Sequence, residues 1–253
     1  MQNKSSEQND LLAARILDAI RLAEIRRKPH FVGFLDERET VRTKNLLRRE
    51  SFVNAQFWGG FSEAERVVFG AFPEFMAPDA TVFPVTALTV EFRKQDRLTH
   101  RDFLGALLHT GLERSSLGDI LTEEGRAVIF CRREVSGFLC SQVEKIGGVG
   151  VRITEGAQEP LPAAHRFADF SAVIASARLD CVTAAAVGTS REKAAAMIRA
   201  RLVELNHEEE ASPSADVHEG DILSVRGEGR YVIDRLGPLT KKGRLGIAGR
   251  KYV

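Results

Sequence analysis

Several things are missing from this chain, and each absence removes a class of answer. No stretch approaches the ~20 consecutive apolar residues that a membrane-spanning helix requires, which excludes a helical integral membrane protein. The cysteines are three, Cys131, Cys140 and Cys181. Their number is odd and they share neither a CxxC nor a metal-ligand spacing, so a disulfide framework and a zinc module are both unsupported. No secretory leader pattern is present, and reduced thiols in a cytoplasmic protein are expected. The histidines are scattered. His100 and His109 fall on one predicted helix but nine residues apart, about two and a half turns, so they point to different sides. Gly227-Glu228-Gly229 lacks the third glycine and the strand-to-helix context of a dinucleotide loop. No metal and no cofactor are expected, and no internal repeat or low-complexity tract occurs.

What is present is an uneven distribution of charge. The 253 residues carry 36 basic and 35 acidic side chains, a net charge of +1. Beyond Ile222, eight cations (Arg226, Arg230, Arg235, Lys241, Lys242, Arg244, Arg250, Lys251) face two acids, Glu228 and Asp234; the remainder therefore holds 28 basic against 33 acidic residues. A basic end on a near-neutral chain is the electrostatic footprint of a polyanion-binding surface, though a solvated Arg-rich hairpin would look the same on charge alone.

The length suggests two or three domains. The first 80 residues read as a helical N-terminal region. Leu12, Ile16, Ala19, Ile20 and Ala23 recur at helical spacing up to the stop at Pro29, and Asp36 is placed to cap a second helix. Ser62 and Glu65 stand at capping-box spacing for a third. From residue 81 to 155 the pattern alternates. Strand-like 82–90 is followed by a helix over 99–109, strands at 120–121 and 127–130 around a Glu124-Gly125 turn, a weaker helix over 134–146, and a strand at 150–153. That order, βαββαβ, suggests a ferredoxin-like module within an overall α+β fold. A sheet of this kind that bound RNA would stack bases on strand aromatics, but its central strand offers only Phe130, expected to face a core. Residues 156–169 read as a linker.

The final segment, 170–253, opens with a two-turn helix over 180–187 closed by Gly188. A second helix is expected with Thr189 as cap and Glu192 at the capping-box position. A strand follows over 202–206, then turns at Gly220-Asp221 and Gly237-Pro238 around strands at 222–226 and 231–234. Short caps and glycine turns would hold several cations on one compact surface. Arg178, Arg191, Lys193 and Arg199 are expected to line its helical side, with Ser190 adding a hydroxyl and Asn206 ordering the junction. Arg226, Arg230, Lys241, Lys242 and Arg244 are expected on the strand-and-loop side. Arginine suits bidentate phosphate contacts and lysine acts as a point charge.

The ordered pattern Arg178-Leu179-Asp180, Ser190-Arg191, Asn206 and Gly220-Asp221 resembles an S4 domain, a small module that grips structured RNA. The stretch from Gly220 to Arg230 and Thr240-Lys241-Lys242-Gly243-Arg244 is similar to the YlmH branch of S4 proteins. Upstream segments agree: Phe34-Leu35-Asp36, Gly59-Gly60 with Ala64-Glu65-Arg66, the run from His100 to Leu108, Leu112-Glu113-Arg114 and Gly118-Asp119-Ile120. The resemblance implies a helical N-terminal piece, a middle domain like an RNA-recognition motif and an S4 (αL-type) C-terminal domain. It also implies a non-enzymatic protein that docks on ribosomal RNA of the large subunit, with tRNA as a second candidate partner, in translation quality control or rescue of stalled ribosomes. The acidic run Glu208-Glu209-Glu210 is placed away from the contact surface, since it would repel phosphate.

Two rivals draw on the same residues. Ala184, Gly188 and Ala194 sit roughly where a DNA-binding helix-turn-helix wants small residues, but the strand-rich continuation argues against it, and no DNA partner is expected. Arg178-Leu179-Asp180 with Thr183 also resembles the catalytic segment of pseudouridine synthases, but the glycine expected after the threonine is missing. Asp180 reads instead as a helix cap, and no second set of catalytic groups stands near it.

Overall fold

The computed structural model describes residues 2–164, 167–240 and 243–253, with side chains described from Asn9 onward within those ranges. The chain divides into two compact units, residues 1–164 and 165–253. None of the described helices is long and apolar enough to cross a membrane.

The first unit begins with α1 (Gln2–Arg26), whose Leu12, Ile16, Ala19 and Ala23 are buried. β1 (His30–Leu35) leads into α2 (Glu37–Arg49). Asp36 caps α2 as its sequence predicts: its carboxylate accepts the Glu39 N–H at 2.8 Å while Glu39 accepts the Asp36 N–H at 2.9 Å, a reciprocal capping box. β2 (Ala55–Trp58) and β3 (Val67–Ala71) follow, and the three strands form an antiparallel sheet of order β1-β3-β2. The N-terminal region is therefore not purely helical. The helix expected after Ser62 is also absent; residues 61–66 form a turn leading into β3. The N–H groups of Glu65 and Arg66, which a helix start would have left to a local cap, are instead taken by the carboxylate of Asp119.

The chain continues with β4 (Val85–Glu91), α3 (His100–His109), β5 (Leu117–Glu123), β6 (Arg126–Arg132) and α4 (Arg133–Gln142). The two-residue strands β7 (Lys145–Ile146) and β8 (Val149–Gly150) pair with each other, and β9 (Arg152–Glu155) ends the unit's regular structure. α4 stops four residues short of its expected end, replaced by that small hairpin. The four-stranded sheet runs β5-β6-β4-β9, all antiparallel.

Both faces of this sheet are covered. On one, Leu88, Val90 and Ile129 pack with Phe103 and Leu107 of α3 and Leu139 of α4. On the other, Leu121, Val128 and Phe130 pack with Phe34, Val68, Phe72 and Phe83. Phe130 is 2% exposed and stacks on Phe61 at 4.8 Å. Gly60 lets the two layers meet. Its φ is +106°, and a Cβ there would lie 2.3 Å from the Phe130 ring, well inside contact distance. Of the stretch expected as a linker, residues 158 and 160 accept hydrogen bonds from Arg126 through their carbonyls, and Leu161 packs into the same apolar layer.

The second unit contains β10 (Phe167–Ile174), α5 (Leu179–Val187), α6 (Arg191–Arg199), β11 (Val203–Leu205), β12 (Glu208–Glu209), β13 (Ile222–Val225), β14 (Gly229–Leu239) and β15 (Leu245–Tyr252). They form a six-stranded antiparallel sheet of order β10-β15-β14-β13-β11-β12. Leu179, Val182 and Ile198 from the helix pair pack on Val203, Leu223, Tyr231, Ile233 and Ile247 from the strands. β14 is longer than its sequence suggests. Gly237-Pro238, expected as a turn, lies inside it at an irregularity where the register with β15 shifts between Leu236 and Leu239. β15 hides behind its glycines. A Cβ on Gly249 would fall 2.3 Å from the Val232 carbonyl oxygen and 2.7 Å from the Phe170 ring, so this strand can approach its neighbours only with glycine there.

Candidate nucleic-acid interface

The junction between α5 and α6 organises the cations of the second unit. Gly188 ends α5 in the left-handed region at φ +74°, its N–H donating to the Ala184 carbonyl. Ser190, not Thr189, caps α6, its Oγ accepting the Lys193 N–H at 3.2 Å, while the Thr189 N–H turns back to Ala184. This tight connection sets Arg191 at the first position of α6 within reach of α5. There its Nη2 donates to Asp180 Oδ2 at 2.7 Å, and Arg178 Nε reaches Asp180 Oδ1 at 3.3 Å.

Asp180 is 5% exposed. Burial alone would push its carboxyl up, but the hydrogen bonds from Arg191 and Arg178 outweigh it and hold the group down at about 2. The same bond raises the Arg191 guanidinium. Asp180 therefore does not cap α5, whose first turn has no side-chain cap; it anchors two arginines. Two cations against one carboxylate leave a positive surplus, and the two arginine side chains are 42% and 53% exposed.

Arg244 lines the same shallow hollow as Arg191, together with Thr189 and Ala184. It is held by a tight turn in which the Thr240 N–H donates to the Arg244 carbonyl at 2.6 Å and Thr240 Oγ1 accepts the Arg244 N–H at 3.0 Å. Lys241 and Lys242 lie outside the described residues. The rest of the expected strand-and-loop set stands elsewhere. Arg226 is exposed on the turn between β13 and β14, and Arg230 sits at the start of β14 with its guanidinium 5.1 Å from the Tyr252 ring. From Arg230 to the far end of β14 is nine residues, about 30 Å of strand. Of the cations expected on one strand-and-loop side, Arg226 and Arg230 thus stand at one end of β14 and Arg244 beyond the other.

The helical set also divides. Lys193 and Arg191 are separated by about 160° around α6, so Lys193 projects from the solvent side while Arg191 turns to Asp180. Arg199 is exposed at the other end of that helix. Asn206, with φ +52°, has both ends of its amide engaged: Nδ2 donates to Asp221 Oδ1 at 2.8 Å and Oδ1 accepts the Ile222 N–H at 3.0 Å. It ties the end of β11 to the Gly220-Asp221 turn. Arg250, absent from the expected set, pairs with Asp234 at 2.8 Å and lies 4.7 Å from the Phe167 ring. The period-two alternation of β15 was the available signal, masked by its three small residues.

A family model described as "Putative RNA-binding domain in YlmH" matches residues 78–159. The chain is 31% identical over 228 residues, 88% of each chain, to a Bacillus subtilis (strain 168) protein named "Ribosome-associated protein quality control protein P2". The chain belongs to the YlmH family. A solved structure, "Cell division protein ylmH from Streptococcus pneumoniae", is similar in fold with a TM-score of 0.51 and 22% identity, covering 59% of this chain and 92% of that one.

In this member of the YlmH family, the upstream segments that carry the resemblance are architectural. Arg66 donates through Nε to the Leu117 carbonyl at 3.0 Å, and through Nη2 to those of Phe34 at 3.0 Å and Arg114 at 3.2 Å. Arg114 Nη1 also reaches Leu117 O, at 2.7 Å. Burial lowers the Arg114 guanidinium to about 10, with Arg66 beside it adding to the shift, and burial raises the Asp119 carboxyl. These groups bolt β1, the turn before β3 and β5 together.

Proposed function

We propose that this YlmH-family protein is a non-enzymatic RNA-binding protein that works on the ribosome, with its second unit acting as an S4-type grip on ribosomal RNA of the large subunit and tRNA as a further partner. The observation that carries the reading is the surplus of outward cations gathered at the start of α6, where Arg178 and Arg191 share a single buried carboxylate and Arg244 lines the same hollow as Arg191. The name of the B. subtilis relative supports a ribosome-associated role, and the description of the matched family model supports an RNA-binding one. The βαββαβ order with strands 2-3-1-4 supports a ferredoxin-like reading of the middle segment. The proposed division is a first region to residue 80, a middle domain over 81–155 and an S4 domain from about 170. A cytoplasmic location accords with these features.

Catalysis on uridine is disfavoured by Asp180 itself. Both its oxygens are engaged by arginines and it is almost fully buried, while Thr183 is wholly buried. A nucleophile or base needs an open path to its substrate.

The test is co-sedimentation of the full chain with purified ribosomes, wild type against Arg199→Ala/Arg226→Ala/Arg244→Ala. These three side chains are exposed, so their loss leaves the fold intact. Association that drops steeply with salt and is weakened in the triple variant is expected. A wild type that fails to co-sediment would overturn the ribosomal reading, and an unweakened triple variant would remove Arg199, Arg226 and Arg244 from the contact surface.

A further inference from the structure

The four-stranded sheet of the first unit cannot take RNA on its helix-free face, because Val128, Phe130 and Leu121 there are buried under the N-terminal layer. Any nucleic acid bound by this unit must lie on another surface. α2 supplies one. Its only acids, Glu37 and Glu39, stand in the first turn, and Glu39 is committed to the capping box. Beyond them no acidic residue occurs as far as Arg49, while Arg42, Lys44, Arg48 and Arg49 follow Arg38.

The spacing sorts these cations. Arg38, Arg42, Asn45 and Arg49, at steps of four, three and four, fall within about 60° of one line along the helix. Lys44 and Arg48 form a second row beside it. The buried positions Thr43 and Leu47 lie on the opposite side, roughly 150° from that line. All six residues of the two rows are exposed. The Arg42 guanidinium donates to the Asn9 side-chain oxygen, Arg48 to that of Asn45 at 3.2 Å, and Lys44 Nζ stands 5.6 Å from the Phe57 ring. Among the described residues, none of Arg42, Lys44, Arg48 and Arg49 is in an ion pair with a carboxylate.

We propose that the outer face of α2 is a second RNA-contact surface, on which Arg42, Arg48 and Arg49 bind backbone phosphates. The proposal rests on the RNA-binding reading above and assigns it a site outside both the second unit and the matched family segment, residues 78–159. A merely solvated helix face alternates charge sign and satisfies itself through i,i+4 pairs, and among the described residues the run of Arg42, Lys44, Arg48 and Arg49 does not. Cations complementing the helix dipole account for Arg48 and Arg49 in the last turn but not for Arg42. A membrane-surface helix would present an apolar face to lipid, whereas α2 turns Leu47 into the core and none of the large exposed apolar residues lies on it. The predominance of arginine favours phosphate oxygens, which accept its paired N–H donors. The stripe from Arg38 to Arg49 spans about 16 Å, room for several phosphates.

The experiment measures binding of the full chain to purified ribosomal RNA over a range of potassium chloride concentrations. It compares wild type, Arg42→Ala/Arg48→Ala/Arg49→Ala and the charge-keeping Arg42→Lys/Arg48→Lys/Arg49→Lys. Loss of three phosphate contacts should make the plot of log affinity against log salt shallower by about 2–3, while the lysine variant keeps the wild-type slope. An alanine variant with wild-type affinity and slope overturns the α2 site alone. A wild type that binds no RNA overturns the underlying reading instead. A variant that binds RNA normally but loses attachment to vesicles rich in anionic lipid would overturn RNA as the occupant of this face.

Discussion

Arg66 and Arg114 of the first unit and Arg178 and Arg191 of the second are used in opposite ways. In the first, Arg66 and Arg114 turn inward: Arg66 spends Nε and Nη2 on three carbonyls, and Arg114 sits beside it in the same half-buried knot with Asp119. Its four-stranded sheet is covered on both faces. In the second, helices cover one face of the sheet, and Arg178 and Arg191 are held by a single buried carboxylate while their side chains stay 42% and 53% exposed. The difference teaches that a shared family pattern mixes two kinds of residue. Arg66, Arg114 and Asp119 fix how strands meet, whereas Arg178 and Arg191 present charge. Mutations should separate the kinds, because one set will move stability and the other binding.

The largest effect is expected from Arg66→Ala. It removes one donor each from the carbonyls of Phe34, Arg114 and Leu117 and leaves the half-buried Asp119 with Arg114 as its remaining neighbouring cation. A loss of about 4 kcal/mol is expected, measured by chemical denaturation followed at Trp58, which packs in this unit's apolar layer. Little change in stability would mean that the knot is a binding feature after all, and the contrast between the units would collapse.

Why was part of this legible beforehand and part not? Local chemistry was legible. The Asp36 box and the Thr99 start of α3 each need only residues three apart, and Gly188 needs only its own backbone. The sheet of β1, β2 and β3 was not, since strands of four to six residues carry no period that distinguishes them from helix ends. The false helix after Ser62 shows the mechanism. The signal was a real spacing, but the N–H groups of Glu65 and Arg66 found their acceptor in Asp119, 54 and 53 residues away. The site was legible as a list of cations but not as an arrangement. Nothing local says that Arg191 pairs with Asp180, or that Arg230 and Arg244 end up at opposite ends of β14.

An intermediate effect tests the anchor of the second unit. The Asp180 carboxyl sits at about 2 in the folded protein, below its ordinary 3.8. A depressed folded value means that the ionised form stabilises the fold above the unfolded value and that this stabilisation fades as pH falls through the folded one. Asp180→Asn should therefore cost about 2 kcal/mol at neutral pH. The gap to wild type should stay constant down to about pH 5 and close as the pH approaches 2. A gap that is flat over the whole range would show that the two arginines do not depend on the charge of Asp180.

The smallest effect should come from Lys193→Ala, and it is the one that discriminates most finely. Lys193 is exposed on the solvent side of α6, and only its backbone N–H, which the substitution keeps, takes part in the cap with Ser190. Alanine is also a better helix former than lysine. Stability should stay within about 0.5 kcal/mol of wild type. If Lys193 meets a phosphate, the salt slope of RNA binding should become shallower by about 0.7–0.9, the share of one contact. Because Arg191 lies about 160° away around the same helix, a flat backbone laid against Arg191 and Arg244 would miss Lys193. An unchanged slope for Lys193→Ala with a reduced one for Arg244→Ala would then narrow the grip to the Arg178–Arg191–Arg244 end of the sheet.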